Sequence, residues 1–259
     1  MSAAAGRVDL EVRGPVAWLT FDSAATRNAM TWAMYEQLDA HLERVAQDPA
    51  LRMAVLRGAN GTFVAGTDIA QFTTFATGEQ GVEYERRLER IVGRLEAARV
   101  PTLAVIEGYA TGAGLILAAV CDLRVCTADA RFGMPIARTL GNCLSIANHA
   151  RLIAAFGASR TKAMILTAEM INADDALACG FVAEIAAAEE LEARVTHLGT
   201  RITAHAPITV ATTREAVRRI AHANLPEGDD LVREAYGSRD FGEGVQAFLA
   251  RRPPQWRGE

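Results

Sequence analysis

The sequence predicts an α/β fold in which parallel strands are joined by crossover helices. Short apolar runs at 53–57, 101–106 and 123–126 alternate with stretches of helical period, the order that parallel strands with helices between them produce. Half of the 259 residues are hydrophobic (50%), enough for one large, well-filled core without a covalent staple. From Ala186 onward strand-like runs give out, and helical letters continue with Pro207 and Pro226 as breaks. The division expected is therefore a core over 1–190 and a helical region over 191–259.

The elements follow in order. Residues 10–12 and 17–21 read as two short strands, since Arg13-Gly14-Pro15 is a turn between apolar clusters. Met34, Leu38, Leu42 and Val45 recur at spacings of three and four, an amphipathic helix with Thr31 as N-cap. After the buried strand 53–57, residues 81–98 repeat the helical period through Tyr84, Leu88, Ile91 and Leu95. The stretch 73–81, with Thr74, Thr77 and Gly78, gathers small and polar letters and reads as a mobile loop able to cover a ligand. Strand 101–106 is followed by Gly108, residues 112–120 read as a helix starting at a glycine turn, and 123–126 is another buried strand.

Charge and cysteine usage narrow the function. A formal net charge of −4 provides no basic surplus, so neither nucleic acid nor an anionic membrane is indicated as partner. Positive charge is almost all arginine, with Lys162 the only lysine, and alanine is abundant, which reflects a GC-rich genome more than a functional demand. Cys121, Cys126, Cys143 and Cys179 form no CxxC pair and have no His-rich partner segment, so no metal site or disulfide framework is expected and a reducing cytoplasm fits. Residues 1–7 lack a basic flank followed by an apolar core, and no run approaches the roughly 20 apolar residues of a spanning helix.

Two glycine-containing turns carry the first chemical signal. Phe63-Val64-Ala65-Gly66-Thr67-Asp68-Ile69 and Gly108-Tyr109-Ala110-Thr111-Gly112-Ala113-Gly114 each follow an apolar run. Glycine lets bare main chain approach a ligand, and N–H groups at a helix start carry partial positive charge suited to a developing oxyanion. Either turn alone reads equally as punctuation before a helix.

Taken with the rest of the chain, the turns belong to a series of motifs in order. Arg27-Asn28-Ala29-Met30 resembles an (Arg/Lys)-Asn-Ala signature, FVAGTDI resembles FxAGxDI, and GYATGAG followed by CDL resembles GxxxGxG followed by CDL. FGMP at 132–135, ILTAEMINADDALACGFV at 165–182 and FGEGVQAFLARRPPQW at 241–256 continue the series. Together they resemble the crotonase (enoyl-CoA hydratase/isomerase) superfamily over nearly the full length. The resemblance implies a crotonase-like spiral of ββα units with a helical C-terminal trimerisation region, and a homotrimer or dimer of trimers. It implies an acyl-CoA thioester as ligand, with coenzyme A entering as part of the substrate rather than as a tightly bound cofactor. It implies an oxyanion hole made by the backbone N–H groups of Thr67 and Ala113, each about 3 Å from the thioester oxygen. Arg27 and Ala29 would lie along the nucleotide end of CoA, Ala65, Asp68 and Ile69 beside the adenine and pantetheine, and Arg251 and Arg252 would reach a CoA phosphate from a neighbouring subunit. Arginine suits that role because its guanidinium is always charged and can bond two oxygens.

The family's acid–base pair is missing. The two glutamates that hydrate an enoyl thioester would stand where this chain has Ile116 and Ile136, and isoleucine neither holds a proton nor positions water. Polar residues of the segment after Ile136 are the substitutes offered: Arg138 for a substrate carboxylate, Asn142 or Ser145 to orient water, Cys143 as nucleophile. Asp68 lies next to the oxyanion hole, and His149 falls within the following helix. For each there is an ordinary structural role, as a cap, a core filler or a surface group. Three readings stay open: hydration or isomerisation with unconventional acid–base groups, decarboxylation of a malonyl-type CoA, and a catalytically silent acyl-CoA-binding homologue.

Overall fold

The computed structural model describes residues 6–259; the first five, part of the N-terminal stretch read above for targeting signals, lie outside the described residues. β1 (Arg7–Arg13) and β2 (Val16–Asp22) form the antiparallel entry hairpin. α1 (Trp32–Gln47) leads to β3 (Met53–Gly58), and α2 (Gly78–Glu96) leads to β4 (Thr102–Ile106). β5 (Tyr109–Thr111), α3 (Ala113–Val120), β6 (Leu123–Cys126) and β7 (Arg131–Gly133) follow. Next come α4 (Ile136–Thr139), α5 (Ile146–Phe156), α6 (Ala158–Thr167), β8 (Ile171–Asn172), α7 (Ala173–Ala178) and β9 (Glu184–Ile185). The chain ends in α8 (Leu191–Thr203), α9 (Pro207–Ala221), α10 (Asp229–Gly237) and α11 (Arg239–Leu249).

The larger sheet runs β1-β2-β3-β4-β6-β9, parallel throughout except for the hairpin. Its central strands are apolar on both faces because both faces are covered. In β3, Leu56 enters the main core, while Met53 and Val55 turn to the opposite face and meet Leu191 and Val195 of α8. The first helix of the C-terminal region thus packs directly on the sheet.

The second sheet, β5-β7-β8, has strands of two or three residues and is a finding the sequence reading lacked. It joins the second glycine turn to the first, through a bridge between Val64 and Ala110.

α1 starts where expected, with the Thr31 hydroxyl accepting from the Met34 N–H. The stretch 73–81 differs from the loop reading. α2 already begins at Gly78, because Thr77 and Gln80 close a capping box and Gln80 also accepts from the Ala76 N–H at 2.6 Å. Its glycines serve packing: a Cβ on Gly78 would lie 2.0 Å from the Arg233 carbonyl oxygen, and one on Gly81 would lie 2.3 Å from the Tyr236 side chain. The first turn of α2 is pressed against α10, and only 73–77 remain outside regular helix.

Candidate active site

The first glycine turn is held by its neighbour in the fold. Asn28, buried, donates from Nδ2 to the carbonyls of Ala59 and Thr62, and its Oδ1 accepts from the Ser23 N–H. That clamp keeps Arg27 and Asn28 in the left-handed region, at φ 53° and 60°. Residues 27–30 then ladder onto the turn: Ala65 donates to Arg27, Met30 to Gly66 and Asp68 to Met30, at 3.1, 2.8 and 3.0 Å. Successive N–H groups of extended chain point opposite ways, so the Thr67 N–H, between two residues committed to this ladder, points away from it. The Thr67 hydroxyl is itself fixed, 2.8 Å from the Tyr35 hydroxyl and 2.9 Å from that of Tyr84.

The second turn brings the other donor. Gly112, at φ 54° and ψ −123°, caps α3, and Ala113 is the first helical residue. Leu115 and Ile116 donate back to the Gly112 carbonyl, leaving the Ala113 N–H among the donors that a helix start cannot satisfy internally. Among the described residues neither the Thr67 nor the Ala113 N–H donates to a protein acceptor. The turns touch: a Cβ on Gly112 would lie 3.5 Å from the Gly66 Cα, and one on Gly114 only 2.0 Å from the Val64 carbonyl oxygen. Only glycine at 114 lets α3 approach this closely.

Both donor residues line a cavity of about 750 Å³. Ile116 and Ile136 are buried in its wall beside Met134 and Leu140, so the positions where acids were expected present hydrocarbon. Arg27, Ala29, Ala65, Asp68 and Ile69 line it as well. Arg27 is exposed and stacks over Tyr109, its guanidinium carbon 5.6 Å from the ring centroid. Asp68 caps the short 3-10 turn Ile69–Phe72 by accepting from the Ala70 N–H. Phe248, Arg251 and Arg252 from the end of α11 complete the lining within the same chain. Both arginines line the cavity of their own chain, with Arg252 paired to Glu243.

The polar residues after Ile136 separate. Asn142 lines the cavity and donates from Nδ2 to the Tyr236 hydroxyl at 3.1 Å. Ser145 caps α5, its hydroxyl accepting from the Asn148 N–H, and is spent on that role. Arg138 is exposed on α4 and does not line the cavity, a correction to its assignment to a substrate carboxylate. Cys143 packs against the Leu231 carbonyl, and burial pushes its thiol up to about 12, the opposite of an activated nucleophile. His149 Nδ1 lies 3.0 Å from the Ser145 carbonyl within its own helix, outside the cavity lining.

The sequence reading missed Glu85. This α2 residue is 4% exposed and lines the cavity. Its Oε2 accepts from the Ser145 N–H and its Oε1 from the Tyr236 hydroxyl, both at 3.0 Å. Burial pushes the carboxyl up to about 7, against those hydrogen bonds, which pull it down. Further along α2, Glu89 and Glu96 are both bound by Arg151; among the described residues Glu85 faces no such cation. A signal existed: Glu85 sits one residue from Tyr84 and three from Leu88, inside the apolar stripe of its helix.

A parallel sheet with crossover helices carries two facing glycine turns, with unspent N–H groups over one cavity. The sequence pattern of the enoyl-CoA hydratase/isomerase family matches residues 11–259, and the chain belongs to that family, within the crotonase superfamily. It is 30% identical to the 2,3-dehydroadipyl-CoA hydratase of Escherichia coli (strain K12), over 93% of this chain and 94% of the relative. It is 31% identical to a probable enoyl-CoA hydratase of Bacillus subtilis (strain 168), over 97% and 99%. Among solved structures, a methylmalonyl-CoA decarboxylase in complex with 2-nitronate-propionyl-CoA is similar with a TM-score of 0.89 at 26% identity, over 98% of this chain and 99% of that one.

Proposed function

We propose that this chain acts on CoA thioesters by stabilising a thioester enolate, and that its reaction is decarboxylation of a malonyl-type (2-carboxyacyl) CoA. The observation that carries the reading is the pairing of two unspent N–H groups, of Thr67 and Ala113, with a wall of Ile116 and Ile136. Hydration needs a base for water and an acid for the α-carbon. Decarboxylation needs neither to start: the electrons of the C–CO₂ bond move into the thioester, carbon dioxide leaves, and the enolate oxygen is held by the two N–H groups. A proton taken up at the α-carbon completes the balance.

The apolar wall assists in this reading. A carboxylate pressed against Ile116, Ile136 and Met134 loses water without gaining a partner, which raises its free energy; loss of charge as carbon dioxide relieves it. In this reading the nucleotide end of CoA would lie along Arg27 and Ala29, with Ala65, Asp68 and Ile69 beside the adenine and pantetheine; all five line the cavity, as does Arg251. The similarity to the methylmalonyl-CoA decarboxylase structure supports the reading; the hydratase relatives supply the competing one.

The test presents malonyl-CoA and methylmalonyl-CoA, followed by carbon dioxide release, and crotonyl-CoA, followed by loss of enone absorbance, to the same preparation. The expected outcome is turnover of a carboxyacyl thioester with hydration slower by about a hundredfold or more, the scale of one missing acid–base group. Hydration as the faster reaction overturns the reading, and tight CoA-ester binding with neither turnover makes the chain a silent binder.

A further inference from the structure

The cavity lining holds a polar cluster that the reaction does not use. Glu85, Asn142 and Asn148 form it, with the Tyr236 hydroxyl bridging Asn142 Nδ2 to Glu85 Oε1. Asn148 is fully buried, and its Oδ1 is taken by Arg151 at 2.8 Å. Two buried amide atoms are left over: among the described residues Asn142 Oδ1 and Asn148 Nδ2 meet no partner at hydrogen-bonding geometry, although Asn148 lies close enough to the Glu85 carboxyl to favour its charged form. One is an acceptor and the other a donor. Leaving such groups unmade costs roughly 1–3 kcal/mol each, so a stable fold tolerates them where a ligand makes the bonds. Around them the lining is hydrocarbon, with Leu88, Leu140 and Leu144.

We propose that this cluster is a specificity subsite for a hydrogen-bonding group on the substrate's acyl chain, one that both donates and accepts, a hydroxyl being the simplest. The inference rests on the acyl-CoA reading above and names the acyl class within it. The hydroxyl donates to Asn142 Oδ1 and accepts from Asn148 Nδ2. A methyl end leaves both amides unmade. A carboxylate end supplies no proton to Asn142 and meets the Glu85 carboxyl.

A site built to bond a hydroxyl rejects the analogue that lacks it far more strongly than an apolar pocket distinguishes one methylene. Calorimetric titration with saturated thioesters tests this without any reaction. The probes are butyryl-, valeryl- and hexanoyl-CoA, each against its hydroxyl-ended counterpart, with glutaryl-CoA as the carboxylate-ended member. These molecules lack the 2-carboxylate and do not turn over, so the preference is read whether or not the chain decarboxylates. The expected result is one hydroxyl-ended thioester bound at least about tenfold tighter than its methyl-ended partner, with the ratio falling to about one in Asn142→Leu. Asn148→Leu, which also gives up the acceptor of Arg151, serves as the second variant, and circular dichroism confirms that each is folded. Equal binding across every pair, a preference that survives in both folded variants, or glutaryl-CoA as the tightest ligand overturns the subsite. Failure of every thioester to bind overturns the acyl-CoA reading itself.

Discussion

Glu85 shows how much of this site depends on single side chains whose neighbours set their chemistry. Its carboxyl ordinarily titrates near 4.5 and is pushed up to about 7 by burial. Below about pH 4.5 it is protonated in the folded and unfolded chain alike, and its burial carries no ionisation cost. As pH rises, the unfolded chain ionises first, so the folded state loses stability up to about pH 7, and above that the loss stays constant. At about 1.36 kcal/mol per pH unit the loss reaches roughly 3 kcal/mol. Glu85→Gln keeps an acceptor for the Ser145 N–H and removes the charge. In denaturant titrations the variant is expected to exceed the parent by roughly 3 kcal/mol at pH 8 and by less than about 1 kcal/mol at pH 5. Parallel stability curves would show that the carboxyl ionises in the folded chain as it does in water.

At the scale of elements, the site is a meeting of two turns. Gly114 is the point where α3 bears on the Val64 carbonyl, and a Cβ there would sit 2.0 Å from that oxygen. Backbone cannot swing aside as a side chain does, so Gly114→Ala forces α3 and with it the Ala113 N–H away from Gly66 and Thr67. The cost expected is about 1–3 kcal/mol of stability. Loss of one oxyanion donor adds about a hundredfold or more in turnover. Ala113→Gly, which keeps the N–H, is the control expected to stay active; thermal melts and steady-state rates on both variants decide. The same scale explains what could be read in advance. α1 and the buried strands were legible because a 3.6 period, a Thr31 cap and apolar runs are local signals. β5, β7 and β8 were not, since two or three residues cannot display an alternation. Motif order singled out Thr67 and Ala113, which the fold brings to one cavity wall. Glu85 was hidden among the charged letters around it, and the outward side chain of Arg138 is settled by the single turn of α4 that carries it.

At the scale of the whole molecule, the C-terminal helices behave unequally. α8 is stitched to the sheet by Leu191 and Val195, and α10 and α11 bury Val232, Tyr236, Phe241 and Val245 beside the cavity. α9 buries none of its residues, and it exposes Ile208, Val217 and Ile220 at 78%, 61% and 77%. Val217 and Ile220, three residues apart, share one side of the helix. Isolated apolar residues on a surface need no explanation, but a fifteen-residue helix with no buried position draws little of its stability from its own chain, because packing rather than propensity holds most helices. The trimer implied by the family resemblance places that packing between copies. Light scattering on the purified chain is therefore expected to give the mass of three or six copies, and Val217→Glu with Ile220→Glu to shift it towards one. A monomeric parent at micromolar concentration would remove the interface from α9, and an unshifted double variant would place it on other helices.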